Sequence, residues 1–250
     1  MQGIILCGGL GTRLRSVIGE KQKTMTDTGG EPFLVNVVKY LKSYKITNVI
    51  FATGYKSEEV RNFFGDSFYF GVEVNYAVEK EPLGTGGAIR NCIDKMKYDY
   101  ALVINGDTLF EADLKKLEEN FLALNADMSI ACKANEDKSR YGTIKIDRSG
   151  EKTNGDKTHG IVVNFDEKAE NDEGDKENKY INGGIYILKK SLIETIPENQ
   201  NISLEKELIP KWLEEGKLIG AVVSGADFID IGTPESLDEF NKSKKSEKEE

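Results

Sequence analysis

Residues 4–25 read IILCGGLGTRLRSVIGEKQKTM. An apolar strand, Ile4 to Cys7, runs straight into a glycine turn (Gly8, Gly9, Gly11), which is followed by Thr12, Arg13 and Arg15 and then by Lys21 and Lys23. Glycines at a strand end carry no Cβ and reach positive φ, so backbone N–H groups can approach a phosphate chain closely. The whole chain has a formal net charge of -9, yet no Asp or Glu precedes Glu20. A positive patch behind a glycine turn in an acidic chain fits a small anionic ligand. Nucleic acid calls for a broad basic face, which this composition lacks. Two commoner glycine motifs are excluded. The third glycine of a dinucleotide fingerprint would fall at Leu14, which argues against a dinucleotide oxidoreductase, and no Gly-Lys-Ser or Gly-Lys-Thr exists for a P-loop.

Outward from this turn, apolar runs alternate in period. IILC (4–7), NVIFAT (48–53), VEVNYAV (72–78), YALVING (100–106) and MSIACK (128–133) read as strands. PFLVNVVKYLKSY (32–44), GGAIRNCIDKM (86–96) and DLKKLEENFLALN (113–125) read as helices, the first with Phe33, Leu34, Val37, Val38 and Leu41 on one face. The stretch from 48 to 78 reads as two strands without a helix between them. The alternation predicts an α/β fold with a doubly wound, mainly parallel, Rossmann-like sheet. From about residue 140, YGTIKID, GIVVNF and YINGGIYIL read as hairpin-like strands, so the sheet is expected to be mixed there. The polar segments 147–158 and 169–179 read as solvated loops. A helix over 203–215 and a strand over 218–223 restore the α/β pattern, Thr233-Pro234-Glu235 is a helix start, and residues 241–250 read as a charged, disordered tail.

Length and composition narrow the class. With 250 residues and 38% hydrophobic content, the chain suits one large α/β domain. Cys7, Cys92 and Cys132 are scattered, which suggests neither a disulfide framework nor a zinc site and points to reducing cytosol. No apolar run is long enough to span a membrane, and no signal-type segment opens the chain. The one histidine, His159, lies in a polar stretch and reads as surface loop or strand edge.

In such sheets ligands lie beyond the carboxyl ends of the strands. Asp107 ends a buried strand and Asp230 precedes the last helix. Alone, each is an ordinary turn or cap residue. Beside a phosphate-type loop, the pair suggests Mg²⁺, which favours one or two carboxylates plus phosphate oxygens and water.

The motifs together resemble the sugar-1-phosphate nucleotidyltransferases, over nearly the whole chain. IILCGGLGTRLR is similar to that family's nucleotide loop, GDTLF (106–110) to its first metal-aspartate motif, and FDEK (165–168) to its sugar-phosphate segment. NGGIY (182–186) resembles the sugar-site loop and DIGTPE (230–235) the second metal-aspartate motif. EPLGTGGAIR (81–90) is most similar to the base-contacting segment of the mannose-1-phosphate and heptose-1-phosphate guanylyltransferases. SLEKELIP (203–210) and KYINGGIYIL lean to the heptose type.

The resemblance implies one nucleotidyltransferase domain over 1–240, with a nucleotide part to about 135 and a sugar part over about 136–225. It implies Mg²⁺ on Asp107 and Asp230, and Arg13, Lys23 and Asp107 as the catalytic set. Nucleotide binding falls to Leu6, Gly8, Gly9, Gly11, Thr12, Arg13, Lys23, Glu81, Pro82, Gly84, Thr85 and Gly106. The glycines at 84, 86 and 87 are expected to leave room for a planar base. Gly142, Glu167, Lys168, Asn182 and Gly183 would hold the sugar phosphate. The implied partners are GTP and a sugar 1-phosphate, with neither nucleic acid nor membrane, and the implied product is a nucleotide sugar of the kind used in surface polysaccharides. Homo-oligomerisation stays open. So do a cytidylyl, uridylyl or thymidylyl donor and a non-catalytic nucleotide-sugar sensor. One departure stands out: the family's lysine lies in a Pro-Lys-Pro-Met context, whereas Gln22-Lys23-Thr24-Met25 has neither proline. This predicts a less ordered loop.

Overall fold

The computed structural model of the chain describes residues 1–9, 11, 14–134, 143–148, 158–166 and 179–249. The elements of the first half are β1 (Gln2–Leu6), α1 (Arg15–Ile18), α2 (Phe33–Ser43), β2 (Asn48–Thr53), α3 (Ser57–Phe64), β3 (Phe68–Tyr69), β4 (Val72–Val78), α4 (Gly84–Asn91), β5 (Tyr100–Asn105) and β6 (Thr108–Phe110). The second half holds α5 (Leu114–Leu124), β7 (Met128–Lys133), β8 (Thr143–Asp147), β9 (His159–Asp166), β10 (Lys179–Lys189), α6 (Lys190–Ile193), α7 (Ile209–Glu214), β11 (Ile219–Ser224), β12 (Phe228–Asp230) and α8 (Pro234–Glu249).

Ten strands form one sheet in the order β3-β4-β2-β1-β5-β10-β7-β11-β9-β8. The run β4-β2-β1-β5 is parallel, as expected. Beyond β5 the sheet is mixed: β10 is antiparallel to both β5 and β7, β7 and β11 are parallel, and β9 and β8 are antiparallel additions. Parallel neighbours need a crossover. Helix α3 supplies the one between β2 and β4 that the sequence reading passed over, burying Val60 and Phe64 one turn apart. Alternation along the strands feeds two cores. Ile5, Phe51 and Ile104 meet α2, α5 and α8 on one face, while Ile4, Ile50 and Val103 meet α4, α6 and α7 on the other.

Three further differences from the sequence reading appear, the first two with local causes. The helix expected over 203–215 opens as a π turn at Leu204–Leu208, where Leu208 N donates to Ser203 O at 3.1 Å. Pro210 follows it, and a proline offers no N–H for the tighter bond to Lys206. Helix α8 runs to Glu249, so 241–249 are helical rather than a disordered tail. Their Lys and Glu residues are good helix formers. A two-stranded ribbon, β6 with β12, sets Asp230 opposite Thr108. Of the segments read as solvated loops, 149–157 and 169–178 lie outside the described residues. His159 opens β9, in agreement with a strand edge, and all three cysteines are buried free thiols. Among the described residues no helix is long and apolar enough to cross a membrane.

Candidate active site

The strand order reverses between β1 and β5, and a cleft of about 540 Å³ opens there beyond their carboxyl ends. Leu6, Gly8, Gly9, Glu81, Pro82, Gly84, Thr85 and Asp107, all named as candidates in the sequence reading, line it. Residues to which the reading gave no role, among them Gly54, Tyr55, Glu79 and Asn105, line it as well. Gly106 lies beneath rather than in the cleft. Its N–H donates to Leu6 O at 2.8 Å, and a Cβ there would sit 2.8 Å from that carbonyl, so glycine lets the ends of β1 and β5 meet. Thr12, Arg13, Gly142, Glu167 and Lys168 lie outside the described residues.

Lys23 stands beside Asp107, next to the glycine turn. Its ammonium donates to Asp107 Oδ2 at 2.5 Å and lies 4.0 Å from Asp230 Oδ1, with its side chain only 11% exposed. Gly11, at φ +59, packs against it: a Cβ on Gly11 would come to 3.0 Å from Lys23 Cβ. The turn that carries Lys23 is well held, contrary to the expectation from its missing prolines. Gln22 is fully buried. Its Oε1 accepts from Thr24 N and Thr24 Oγ1, both at 2.6 Å, and from Met25 N at 3.2 Å. Its Nε2 donates to the Cys7 carbonyl at the root of the glycine turn, and its backbone N–H donates to Glu59 Oε2 at 2.9 Å. Gln22 adopts φ −64, the value a proline would impose, and side-chain hydrogen bonds supply the order that a ring would have given.

At the opposite end Gly84 takes φ +67 where β4 hands over to α4. The neighbouring glycines do not make room for a base. Gly86 and Gly87 are buried, and a Cβ on either would collide, with Leu208 and with the Gln200 carbonyl respectively. They let α4 press against residues 200–208, and Gly86 N donates to Ile202 O at 2.9 Å. Glu79, at the end of β4, curls back so that Oε2 accepts from Leu83 N at 2.8 Å. Its Oε1 lies over Gly8 and Gly54, at positions a Cβ on either would contest. Burial raises its pKa from the ordinary carboxylate value, partly opposed by the Leu83 N–H.

The bulge of β10 falls between Asn182, which pairs with Cys132, and Ile185, and so holds Gly183 and Gly184 beside the end of β5. A Cβ on Gly184 would lie 2.7 Å from Asn105 Nδ2, and one on Gly183 would strike Phe110. The bulge thus adjoins the cleft from the β10 side. Asp107 and Asp230 are the two carboxylates that converge on one cation, the Lys23 ammonium. No cluster of three or more His, Cys, Asp or Glu suited to a metal occurs among the described residues. Two carboxylates beside a phosphate-type turn suit Mg²⁺, which takes its other ligands from phosphate and water.

The parallel β4-β2-β1-β5 order and a cleft at its switch point define a Rossmann-like α/β protein. The chain belongs to the family described as Nucleotidyl transferase, whose profile residues 2–247 match. It is 40% identical over 250 residues to the D-glycero-alpha-D-manno-heptose 1-phosphate guanylyltransferase of Aneurinibacillus thermoaerophilus, covering 98% of this chain and 97% of that one. The mannose-1-phosphate guanylyltransferase of Mycobacterium tuberculosis is 34% identical, over 95% of this chain and 62% of its own length. Among solved structures, HddC from Yersinia pseudotuberculosis complexed with GMP-PN superposes with a TM-score of 0.78 at 34% identity, covering 97% of this chain and 98% of that one.

Proposed function

We propose that the chain transfers a guanylyl group from GTP to a heptose or mannose 1-phosphate, releasing pyrophosphate and forming a GDP-sugar. The observation that carries this reading is one continuous cleft at the strand switch point, lined together by Gly8, Gly9, Glu79, Gly84 and Asp107; Glu79 and Gly84 are assigned to the base, and Gly9 and Asp107 to the phosphates. A carboxylate at the base end favours guanine, because N1–H and the 2-amino group present two adjacent donors to one acceptor group. The guanylyltransferase relatives and the GMP-PN complex of a similar protein support the same donor.

A phosphate oxygen of the sugar phosphate attacks the α-phosphorus of GTP, and the bond to the pyrophosphate oxygen breaks. The attacking oxygen is already ionised, so no protein nucleophile is needed, and the chain's task is to position two anions and offset their repulsion. Backbone N–H groups at Gly8 and Gly9, with Arg13, would hold the β- and γ-phosphates. Lys23 would meet charge gathering at the α-phosphate. Asp107 and Asp230 would hold Mg²⁺, which when bound neutralises phosphate charge. Lys168 would grip the acceptor phosphate, and Glu167, Asn182 and the backbone at Gly142 and Gly183 the sugar. The sensor alternative was motivated by the absent prolines, and the Gln22 clamp removes that motive.

The test is pyrophosphate release with Mg²⁺, pairing GTP, CTP, UTP, dTTP and ATP each with mannose 1-phosphate and with heptose 1-phosphate. Release is expected with GTP and at least one of the two sugars. Preference for another nucleotide would overturn the guanylyl assignment, and no release in any pairing would overturn the transferase reading.

A further inference from the structure

A chain of hydrogen bonds runs from the base end of the cleft to the β10 bulge through one carboxylate, Glu205 on the π turn. Thr85 Oγ1 donates to Glu205 Oε2 at 2.6 Å and accepts from Leu204 N at 2.8 Å. Ser203 Oγ donates to the same carboxylate oxygen at 3.2 Å. On the other side Tyr186 Oη donates to Glu205 Oε1 at 3.1 Å and accepts from Asn182 Nδ2 at 2.6 Å. The Asn182 amide is fixed at its other end too, with Oδ1 accepting from Gly184 N at 3.0 Å.

Several features separate this chain from routine packing. Thr85 and Asn182 stand 97 positions apart, on α4 and β10, and Glu205 belongs to neither element. The π turn widens the helix by one residue at that point, and such turns recur at functional positions. Tyr186 is fully buried, so its hydroxyl has two directed partners in place of water. Every donor to Glu205 in this chain is a hydroxyl, and a hydroxyl rotor can be turned by a change at its other side.

We infer that Glu205 is a positioning residue that couples the two halves of the cleft: a nucleotide seated against Gly84 and Thr85 sets the carboxylate, and through Tyr186 it sets the Asn182 amide that faces the sugar phosphate. This rests on the proposed guanylyltransferase reading, which assigns Thr85 to the donor and Asn182 to the acceptor. Bonds of this kind transmit an orientation without movement of the backbone, and the coupling is reciprocal between the two ligands.

The experiment measures the Kd of the sugar 1-phosphate by calorimetry in the presence of Mg²⁺. It is repeated with and without saturating guanosine 5′-[α,β-methylene]triphosphate, whose α–β bridge cannot break. In the wild-type chain the analogue is expected to tighten the sugar phosphate by about fivefold or more. Tyr186→Phe, which deletes only the hydroxyl in the middle of the chain, should bring that ratio to within twofold of one and leave the Kd of the analogue alone unchanged. Glu205→Ala, on the half-exposed π turn, should likewise bring the ratio to within twofold of one and serves if the buried variant fails to fold. A purely structural role would lower the melting temperature without touching the ratio. An unchanged ratio in both variants, or a wild-type ratio near one, would overturn the coupling. Turnover of GTP with the same sugar phosphate by the wild-type chain tests the underlying reading separately. Turnover with no coupling removes this inference alone, whereas no turnover removes both.

Discussion

Lys23 places its ammonium between Asp107 and Asp230, so in the absence of ligands one cation serves two carboxylates. Asp107→Asn keeps the side chain's shape and the backbone bond from Ile231 N to the Asp107 carbonyl at 3.1 Å. Turnover should therefore fall by about a hundredfold or more, as for loss of one preorganised electrostatic contact, with the melting temperature little changed. Steady-state rates and a thermal scan on the same preparation check this, and near-wild-type turnover would remove Asp107 from the chemistry. Glu79 yields a pH prediction. Burial raises its folded pKa, so as pH rises through that pKa the carboxylate forms at some expense of stability, and below the ordinary carboxylate range that expense vanishes. Only the carboxylate accepts two guanine donors. The KM for GTP should thus rise on the acid side at a higher pH than an ordinary carboxylate would give, and Glu79→Gln should flatten that limb while weakening GTP more than UTP. An unaltered pH profile in the variant would take Glu79 out of base recognition. Asp107 and Asp230 were legible in the sequence because each sits in a short motif beside a strand end. Glu79 was not, because its place depends on the side chain curling back to the Leu83 N–H and over two glycines distant in sequence.

The turn Lys23–Met25 depends on the residue just before it. Read as sequence, Gln22 is a proline lost; in the fold it ties three groups of the turn to one oxygen and reaches the Cys7 carbonyl fifteen positions back. That reach needs a three-dimensional neighbour, which no local pattern reveals. Gln22→Ala would leave the Thr24 and Met25 N–H groups and the Cys7 carbonyl without these partners, at about 1–3 kcal/mol of stability. Because the turn also aims Lys23, kcat should fall together with the midpoint of urea unfolding. A variant with lowered stability but unaltered kcat would restrict Gln22 to a structural role. Other elements divide along the same line. The central parallel strands were legible from apolar runs that match strands buried on both faces. Helix α3 is short and mostly polar, with Val60 and Phe64 as its buried pair, so periodicity alone marked it weakly. The β6–β12 ribbon joins segments more than a hundred positions apart, and only the fold pairs them.

Strand β10 is the seam of the whole molecule. It pairs with β5 on the side of the parallel strands that border the cleft and with β7 on the other, and its Ile185 and Ile187 lie in one core while Tyr186 and Leu188 lie in the second. The same strand carries the bulge after Asn182, so the side proposed to take the acceptor is built on the element that joins the halves. A sheet continuous across such a seam, with both cores crossing it, should unfold as one unit. The chain offers a direct probe, since its one tryptophan, Trp212, is buried in α7 on the β11 side of the sheet, away from the cleft's glycine turn. Trp212 fluorescence and far-ultraviolet circular dichroism should therefore report the same urea midpoint. A ligand that binds only the native state adds stability by mass action, about 2.7 kcal/mol at a hundred times its Kd. GTP with Mg²⁺ at that excess should accordingly move the Trp212 midpoint by the same amount as the dichroism midpoint, although no residue of α7 lines the cleft. If the dichroism shifted in two steps and Trp212 stayed with the GTP-insensitive one, the two halves would be independent, and β10 would be a linker between them rather than a seam.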